Sequence, residues 1–184
     1  MTPSVSSDSG HLLLMLRDLF DNAVLWWGLA ACGIAQLSKL GVELVAHRRW
    51  NPAVLFETGG MPSSHSALMT GTAAGVGWYQ GFQDPLFALA AAVAFVVLYD
   101  ASGVRRASGE TAARLNALVQ SQPAAAVTGF GWSQPLKENI GHTRLEVLVG
   151  ALLGPLVALP GLALVGSPLH LVQRLSHTLP AALG

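Results

Sequence analysis

Four apolar stretches, separated by polar clusters, set the pattern of this chain. Ahead of them, Leu12 to Phe20 is a short amphipathic stretch suited to a membrane interface. Ala23 to Ala46 is the first predicted span: it opens with Val24, Leu25, Trp26 and Trp27, and carries Gln36, Lys39 and Glu43 along its second half. The two tryptophans suit an aromatic belt at the entry side. Ionisable groups at such depth face protein or water; Lys39 reads as a functional candidate and Glu43, four residues on, as its salt-bridge partner. His47-Arg48-Arg49-Trp50 ends the helix, and Asn51 to Met61 reads as a loop. Ser66 to Gly81 is the second span, with Gly71-x-x-x-Gly75 and Gly77-x-x-x-Gly81 permitting close helix approach. After the turn at Gln83-Asp84-Pro85, Leu86 to Tyr99 is the third, ending in Asp100-Ala101-Ser102-Gly103-Val104-Arg105-Arg106. Ala107 to Val119 predicts an amphipathic surface helix with Glu110, Arg114 and Asn116 outward, followed by a Pro/Gly/Ala loop over Ser121 to Gln134. Lys137 to His142 leads into the last span, Leu145 to Val165, with Gly150-x-x-x-Gly154 and two prolines, Pro155 and Pro160, expected to kink it.

Composition decides the solvent. Charged residues are 11% of the 184 and hydrophobic residues 52%, where soluble globular chains carry about a quarter charged; mean hydropathy is +0.49. The predicted fold is all-α: a small integral-membrane helical bundle of about four spanning helices plus amphipathic surface helices. A compact soluble bundle is the competing reading, because only the last span approaches the ~18–20 apolar residues of a simple crossing. A net charge of zero gives no reason to expect nucleic acid, and the single cysteine, Cys32, excludes a disulfide within the chain. Residues 1–10, polar and Ser-rich without a basic signal-peptide region, read as a disordered tail. Residues 11–166 form one helical domain, and 167–184 an amphipathic or flexible tail.

If the four helices cross in turn, every polar cluster lands on one face. The first helix ends there at Arg48 and Arg49, the second starts there at His65, the third returns at Asp100 to Arg106, and the fourth leaves at His142 and Glu146. Eight of the ten Lys/Arg residues fall on that face, Lys39, Arg48, Arg49, Arg105, Arg106, Arg114, Lys137 and Arg144, against Arg17 and Arg174 elsewhere. Thr58-Gly59-Gly60-Met61-Pro62-Ser63-Ser64-His65-Ser66-Ala67 reads as an oxyanion-binding turn: loose glycines, a proline at the first helical turn, two hydroxyls at cap positions and a histidine able to pass protons. An ordinary capped helix is the plainer reading of the same residues. His142 and Glu146, four apart, place a carboxylate against one imidazole nitrogen and leave the other free to attack; a local hydrogen bond at a helix start is the plainer alternative there. Convergent cations with two histidines are what phosphate chemistry requires.

These residues carry a resemblance. Lys39, Arg48-Arg49-Trp50, the block Gly59 to Ala67, Asp100 to Arg106, Asn116 and Gly141-His142-Thr143-Arg144-Leu145-Glu146-Val147 are similar to the divergent branch of the type 2 phosphatidic acid phosphatase and vanadium haloperoxidase superfamily, over roughly Gly33 to Gly154. The resemblance implies metal-independent hydrolysis of a phosphomonoester or diphosphate through a phosphohistidine, with no cofactor. His142 would be the nucleophile, Glu146 its orienting partner, and His65 the group that protonates the leaving oxygen and then activates water. Lys39, one of Arg48 and Arg49, one of Arg105 and Arg106, Ser63, Ser64 and the N–H groups after them would hold the phosphate, with Asp100 and Lys137 in support. The chain departs from the parent pattern in five places. Lys39 stands further from Arg48, Trp50 replaces a proline, Ser64 replaces a glycine, and Glu146 replaces an aspartate. No Ser-Arg precedes His142, so Arg105 or Arg106 must supply that charge from another helix.

A site at the mouth of a helix bundle favours a lipid phosphate: phosphatidylglycerophosphate, phosphatidate and a polyprenyl (di)phosphate all fit. The cation excess places the site face in the cytoplasm by the positive-inside rule. Two other classes stay open, a non-catalytic membrane protein that binds phosphate or anionic headgroups through the same cations, and a vanadate-dependent oxidase. A metal site lacks a supporting cluster at ligand spacing, and the sequence leaves the oligomeric state undetermined.

Overall fold

The computed structural model describes residues 5–48, 50–56, 59–122, 134–173 and 176. Arg49 and Thr58, the loop residues 123–133 and most of the C-terminal tail lie outside the described residues. Six long helices carry the fold, α1 (Val5–Asp21), α2 (Ala23–His47), α3 (Ser64–Gln80), α4 (Pro85–Ser102), α5 (Val104–Gln120) and α6 (Arg144–Leu164), with a further short helical stretch at 168–173. No strand occurs among the described residues, and the fold is an all-α membrane bundle.

Local chemistry sets the boundaries. Asn22, Asp84 and Thr143 cap α2, α4 and α6 with side-chain oxygens that accept from backbone N–H groups in the first turn. Pro85 occupies the first turn of α4, where its missing N–H costs nothing. Gly103 closes α4 and opens α5, so the two helices meet with one residue between them. α6 runs unbroken from Arg144 to Leu164 with Pro155 and Pro160 inside it.

α3 is the central helix, packed against α2, α4 and α6. Its surface is made of small residues, and Ala67, Ala31 and Ala35 form a fully buried cluster with Leu153 and Val157 packed against it. Gly150 and Gly154 let α6 approach closely enough that a Cβ on the first would strike the backbone of Ser63, and on the second that of Ala67 and Gly71. The large apolar side chains point the other way: Phe95 is 69% exposed, Val96 66% and Leu156 70%. Small residues inside and large apolar ones outside is the arrangement of a bundle whose solvent is hydrocarbon. Three segments, Ala23–Val45, Pro85–Gln120 (α4 with α5) and Arg144–Leu164, are long and apolar enough to cross a membrane. α3 does not reach that length or hydropathy; enclosed by three neighbours, it has little lipid to satisfy.

The helix directions bring one end of each core helix together. Gly60, just before α3, lies beside Lys39 near the end of α2, whereas Gly75 meets Val24 near the start of α2. Ser63 donates its backbone N–H to Glu146 O at 3.0 Å, and His142 donates its own to Ala101 O at 2.9 Å. The ends of α2 and α4 and the starts of α3 and α6 therefore share one face.

Four details differ from the sequence reading. α1 begins at Val5, inside the segment read as a disordered tail, because a helix nucleated by Leu12 to Phe20 extends at small cost per residue. The loop from Asn51 to Met61 contains a 3-10 turn, Pro52–Phe56, anchored by a hydrogen bond from Gln36 Nε2 to Leu55 O. Pro62 precedes the N-cap Ser63 instead of entering the first turn of α3. Asn116 is not outward but 3% exposed, for a reason given below.

Candidate functional site

A cavity of about 260 Å³ opens on the shared face, lined by His65 from α3, Val97, Asp100 and Ala101 from α4, Arg105 from α5, and Lys137, Ile140, Gly141 and His142 from the segment that enters α6. It sits at the low end of ligand-pocket sizes, suited to a headgroup and too small for a whole lipid.

His142 is its most constrained member. The side chain is 4% exposed, and Nδ1 lies 3.0 Å from Glu146 Oε2. The contact is not made along one helix face, as the four-residue spacing suggested. His142 stands before the N-cap Thr143, and Glu146 is the third residue of a capping box. Thr143 Oγ1 accepts from the Glu146 N–H at 3.2 Å, while Glu146 Oε2 accepts from the Thr143 N–H at 3.1 Å and faces His142 Nδ1 as well. With a carboxylate at Nδ1, the proton of a neutral ring sits on that nitrogen and Nε2 keeps its lone pair.

His65 stands in the first turn of α3, outside the three candidate spans, and one side of it is open. Partial desolvation at the cavity wall, then the charges of Arg105, His142 and Lys39, hold its pKa below the ordinary value of 6.5. The charges that reach His65 come from α2, α5 and the approach to α6.

The cations divide into two sets. Arg105 lines the cavity, and its Nε reaches Asp100 Oδ2 at 2.6 Å; Asp100 also lines the wall and aims the guanidinium. Lys137 completes the lining. Lys39 is 2% exposed and lies beside Gly60, at the back of the site. Arg106 turns away and pairs with Glu110 at 3.1 Å on the exposed side of α5. Arg48 is the exposed C-cap of α2, in the left-handed conformation, and does not line the cavity. Arg49 lies outside the described residues.

The serines do not reach the cavity either. Ser63 Oγ is fully buried and serves as the N-cap of α3, accepting from the Ser66 N–H at 3.3 Å and the Ser66 hydroxyl at 2.9 Å. Ser64 is buried in the first turn. Of the residues singled out in the sequence, the fold gathers His65, His142, Arg105, Asp100 and Lys137 around the cavity, with Glu146 and Lys39 behind them.

Asn116 explains how Lys137 arrives there. Its Nδ2 donates to Leu136 O and to Glu138 Oε1, each at 2.8 Å, and its Oδ1 accepts from the Leu136 N–H at 2.9 Å. It thereby holds the Leu136 backbone just before Lys137 and the Glu138 carboxylate just after it. Gly109, one side chain short on the same helix, lets the Glu138 and Ile140 carbonyls lie against α5. Gly141, at φ +89°, then turns the chain against Arg105 and Arg106, where a Cβ would collide with their backbone. α5 is therefore a bracket for the segment that delivers Lys137 and His142. The capping box was readable in Thr143-x-x-Glu146; the bracket was not, since it depends on where a loop docks.

Among the described residues no group of three His, Cys, Asp or Glu side chains is placed to hold a metal ion. Comparison with known proteins agrees with the membrane fold. The chain is 37% identical over 152 residues to YuiD, an uncharacterized membrane protein of Bacillus subtilis (strain 168), covering 77% of this chain and 95% of that protein. No solved structure matches. The model of the divergent PAP2 family matches residues 20–157, from the end of α1 into α6. With three quarters of its length inside that match and its polar cavity at the shared end of the matched helices, the chain belongs to the divergent PAP2 family.

Proposed function

We propose that this protein is a membrane-embedded lipid phosphate phosphatase that hydrolyses a phosphomonoester or diphosphate through a phosphohistidine, without a metal. The observation that carries this reading is the held imidazole: His142 Nδ1 lies 3.0 Å from Glu146 Oε2, on the wall of a cavity that also holds His65, Arg105 and Lys137. A nucleophile backed by an orienting carboxylate, facing cations and a second histidine, is the arrangement in-line phosphoryl transfer needs.

In this mechanism Arg105, Lys137 and Lys39 offset the charge of the phosphoryl oxygens. His142 Nε2 attacks phosphorus, the P–O bond to the lipid alcohol breaks, and His65, in its protonated form, gives its proton to the leaving oxygen. A water then attacks the phosphohistidine as His65 takes a proton from it, the P–N bond breaks, and inorganic phosphate leaves. Glu146 holds the Nδ1 proton throughout. The substrate class is a lipid phosphate (phosphatidylglycerophosphate, phosphatidate or a polyprenyl phosphate) presented from the bilayer. The cations on the site face favour a cytoplasmic orientation.

The test is phosphate release from these lipids by purified protein in detergent with EDTA present, wild type beside His142→Ala. Release that survives the chelator and disappears in the variant is expected. Release unchanged in His142→Ala overturns the mechanism. Phosphate bound without turnover would instead support a non-catalytic headgroup-binding protein, a reading favoured by the tie between Arg105 and Asp100, which spends part of the cation's charge.

A further inference from the structure

A second cavity, about 400 Å³ and almost wholly apolar, lies between α3, α4 and α6, and the proposed mechanism does not use it. Its relation to the polar cavity is set by one stripe along α4. Phe87, Ala91, Ala94, Leu98 and Ala101 recur at helical spacing on one face; the first four line the apolar cavity and Ala101 lines the polar one. Val97 and Leu98, adjacent in sequence, line one cavity each. From Leu98 to Phe87 the groove extends about 16 Å at the rise of an α-helix. Alanines at 91 and 94, with Ala73 and Ala74 opposite on α3, leave it wide, and no charged side chain lines it. Phe82 and Phe87 close the far end as an edge-to-face pair with centroids 5.1 Å apart.

We infer that this groove takes the hydrocarbon chain of the phosphate ester whose headgroup occupies the polar cavity, and that the Phe82–Phe87 pair limits the length of chain it can read. The inference rests on the phosphatase reading and deepens it. The cations of the polar cavity, Arg105 and Lys137, stand at one end of the stripe and the rest is lined by uncharged, almost wholly apolar side chains, which matches the polarity of a lipid phosphate lying head to tail along α4. A bulk bilayer lipid would occupy the same surface with no link to the headgroup, and the experiment separates the two.

The probes are n-alkyl phosphates from hexyl to hexadecyl in mixed micelles, compared by kcat/KM. For the wild type the value is expected to rise with chain length and level off once the chain spans the groove. Ala91→Trp, which blocks the middle, should lower kcat/KM for the long chains by about tenfold, the loss of roughly two buried methylenes, and leave hexyl phosphate within about twofold. Phe82→Ala, at a half-exposed position, should move the plateau to longer chains. A wild-type rate independent of chain length, or an Ala91→Trp loss equal at every length, overturns the inference. If no alkyl phosphate is hydrolysed, the phosphatase reading fails separately. The same series is then scored as competitors of bound inorganic phosphate: chain-length-dependent competition that Ala91→Trp removes upholds the groove, and length-independent competition overturns it.

Discussion

One oxygen of Glu146 serves two masters: Oε2 accepts the Thr143 backbone N–H at 3.1 Å and faces His142 Nδ1 at 3.0 Å. The cap of α6 and the orientation of the imidazole are therefore a single piece of chemistry. Glu146→Gln separates them, because glutamine still completes a capping box but brings no charge to the histidine. The expected result is a fall in kcat of roughly two to four orders of magnitude with little change in melting temperature. Steady-state kinetics beside thermal unfolding in detergent would check it, and equal losses in both would assign Glu146 to the fold alone.

His65 gives the pH dependence its sign. In the proposed mechanism it protonates the leaving oxygen and must carry a proton, and its pKa lies below 6.5 in the free protein. kcat/KM should therefore fall as pH rises through a value below 6.5, giving an acidic optimum. His65→Gln should remove that limb and leave a rate about 10²–10⁴ lower. A basic limb persisting unchanged in the variant would count against the role.

The arginine pair should behave asymmetrically. Arg105 lines the cavity, and replacing it with Ala should lower kcat/KM by about a hundredfold or more, as for loss of one charge-stabilising donor. Arg106 pairs with Glu110 at the exposed surface of α5, a type of contact that contributes about 0–1 kcal/mol. Arg106→Ala should leave turnover close to wild type. Reversal of this order in side-by-side kinetics would mean that the bound state draws Arg106 inward.

Asn116→Ala removes two hydrogen bonds to the Leu136 backbone and one to the Glu138 carboxylate, at about 0.5–1.5 kcal/mol each. Because the segment it holds delivers Lys137, the activity loss should shrink sharply when measured in a Lys137→Met background. Additive effects in that double-mutant cycle would show that Asn116 acts elsewhere.

Gly154→Leu tests the packing. A side chain there meets Thr70 and the backbone of Ala67 and Gly71, so α3 and α6 must separate. Overpacking of this kind costs about 1–3 kcal/mol or more, and the melting temperature should fall accordingly.

The contrast between what was legible and what was not follows from these same residues. The apolar runs, their order and their shared polar face were readable because hydropathy and helix period are local. His142 and Glu146 were readable as partners, but spacing alone did not distinguish a helix face from a capping box. Ser63 offered a hydroxyl suited equally to a cap or to a phosphate, and the Ser66 backbone N–H, 3.3 Å from it, makes it the cap. Asn116 looked solvent-facing because its partner is a loop from the other side of a long connection; no periodicity within α5 carries that information. α3 looked like a short span because its small residues answer to helices, not to lipid.

The hydrogen bond from the Ser63 N–H to the Glu146 carbonyl, with Gly150 beneath it, fixes a common origin for the helices that bear His65 and His142. The separation of the two histidines then rests on this small-residue seam, together with the Ala101 carbonyl and the α5 bracket that hold His142. The loop residues 123–133 are not among those contacts. Such a chain can lengthen, shorten or redecorate its connections over evolution while the spacing of its two imidazoles stays the same, and a single bulky residue in the seam would change that spacing at once.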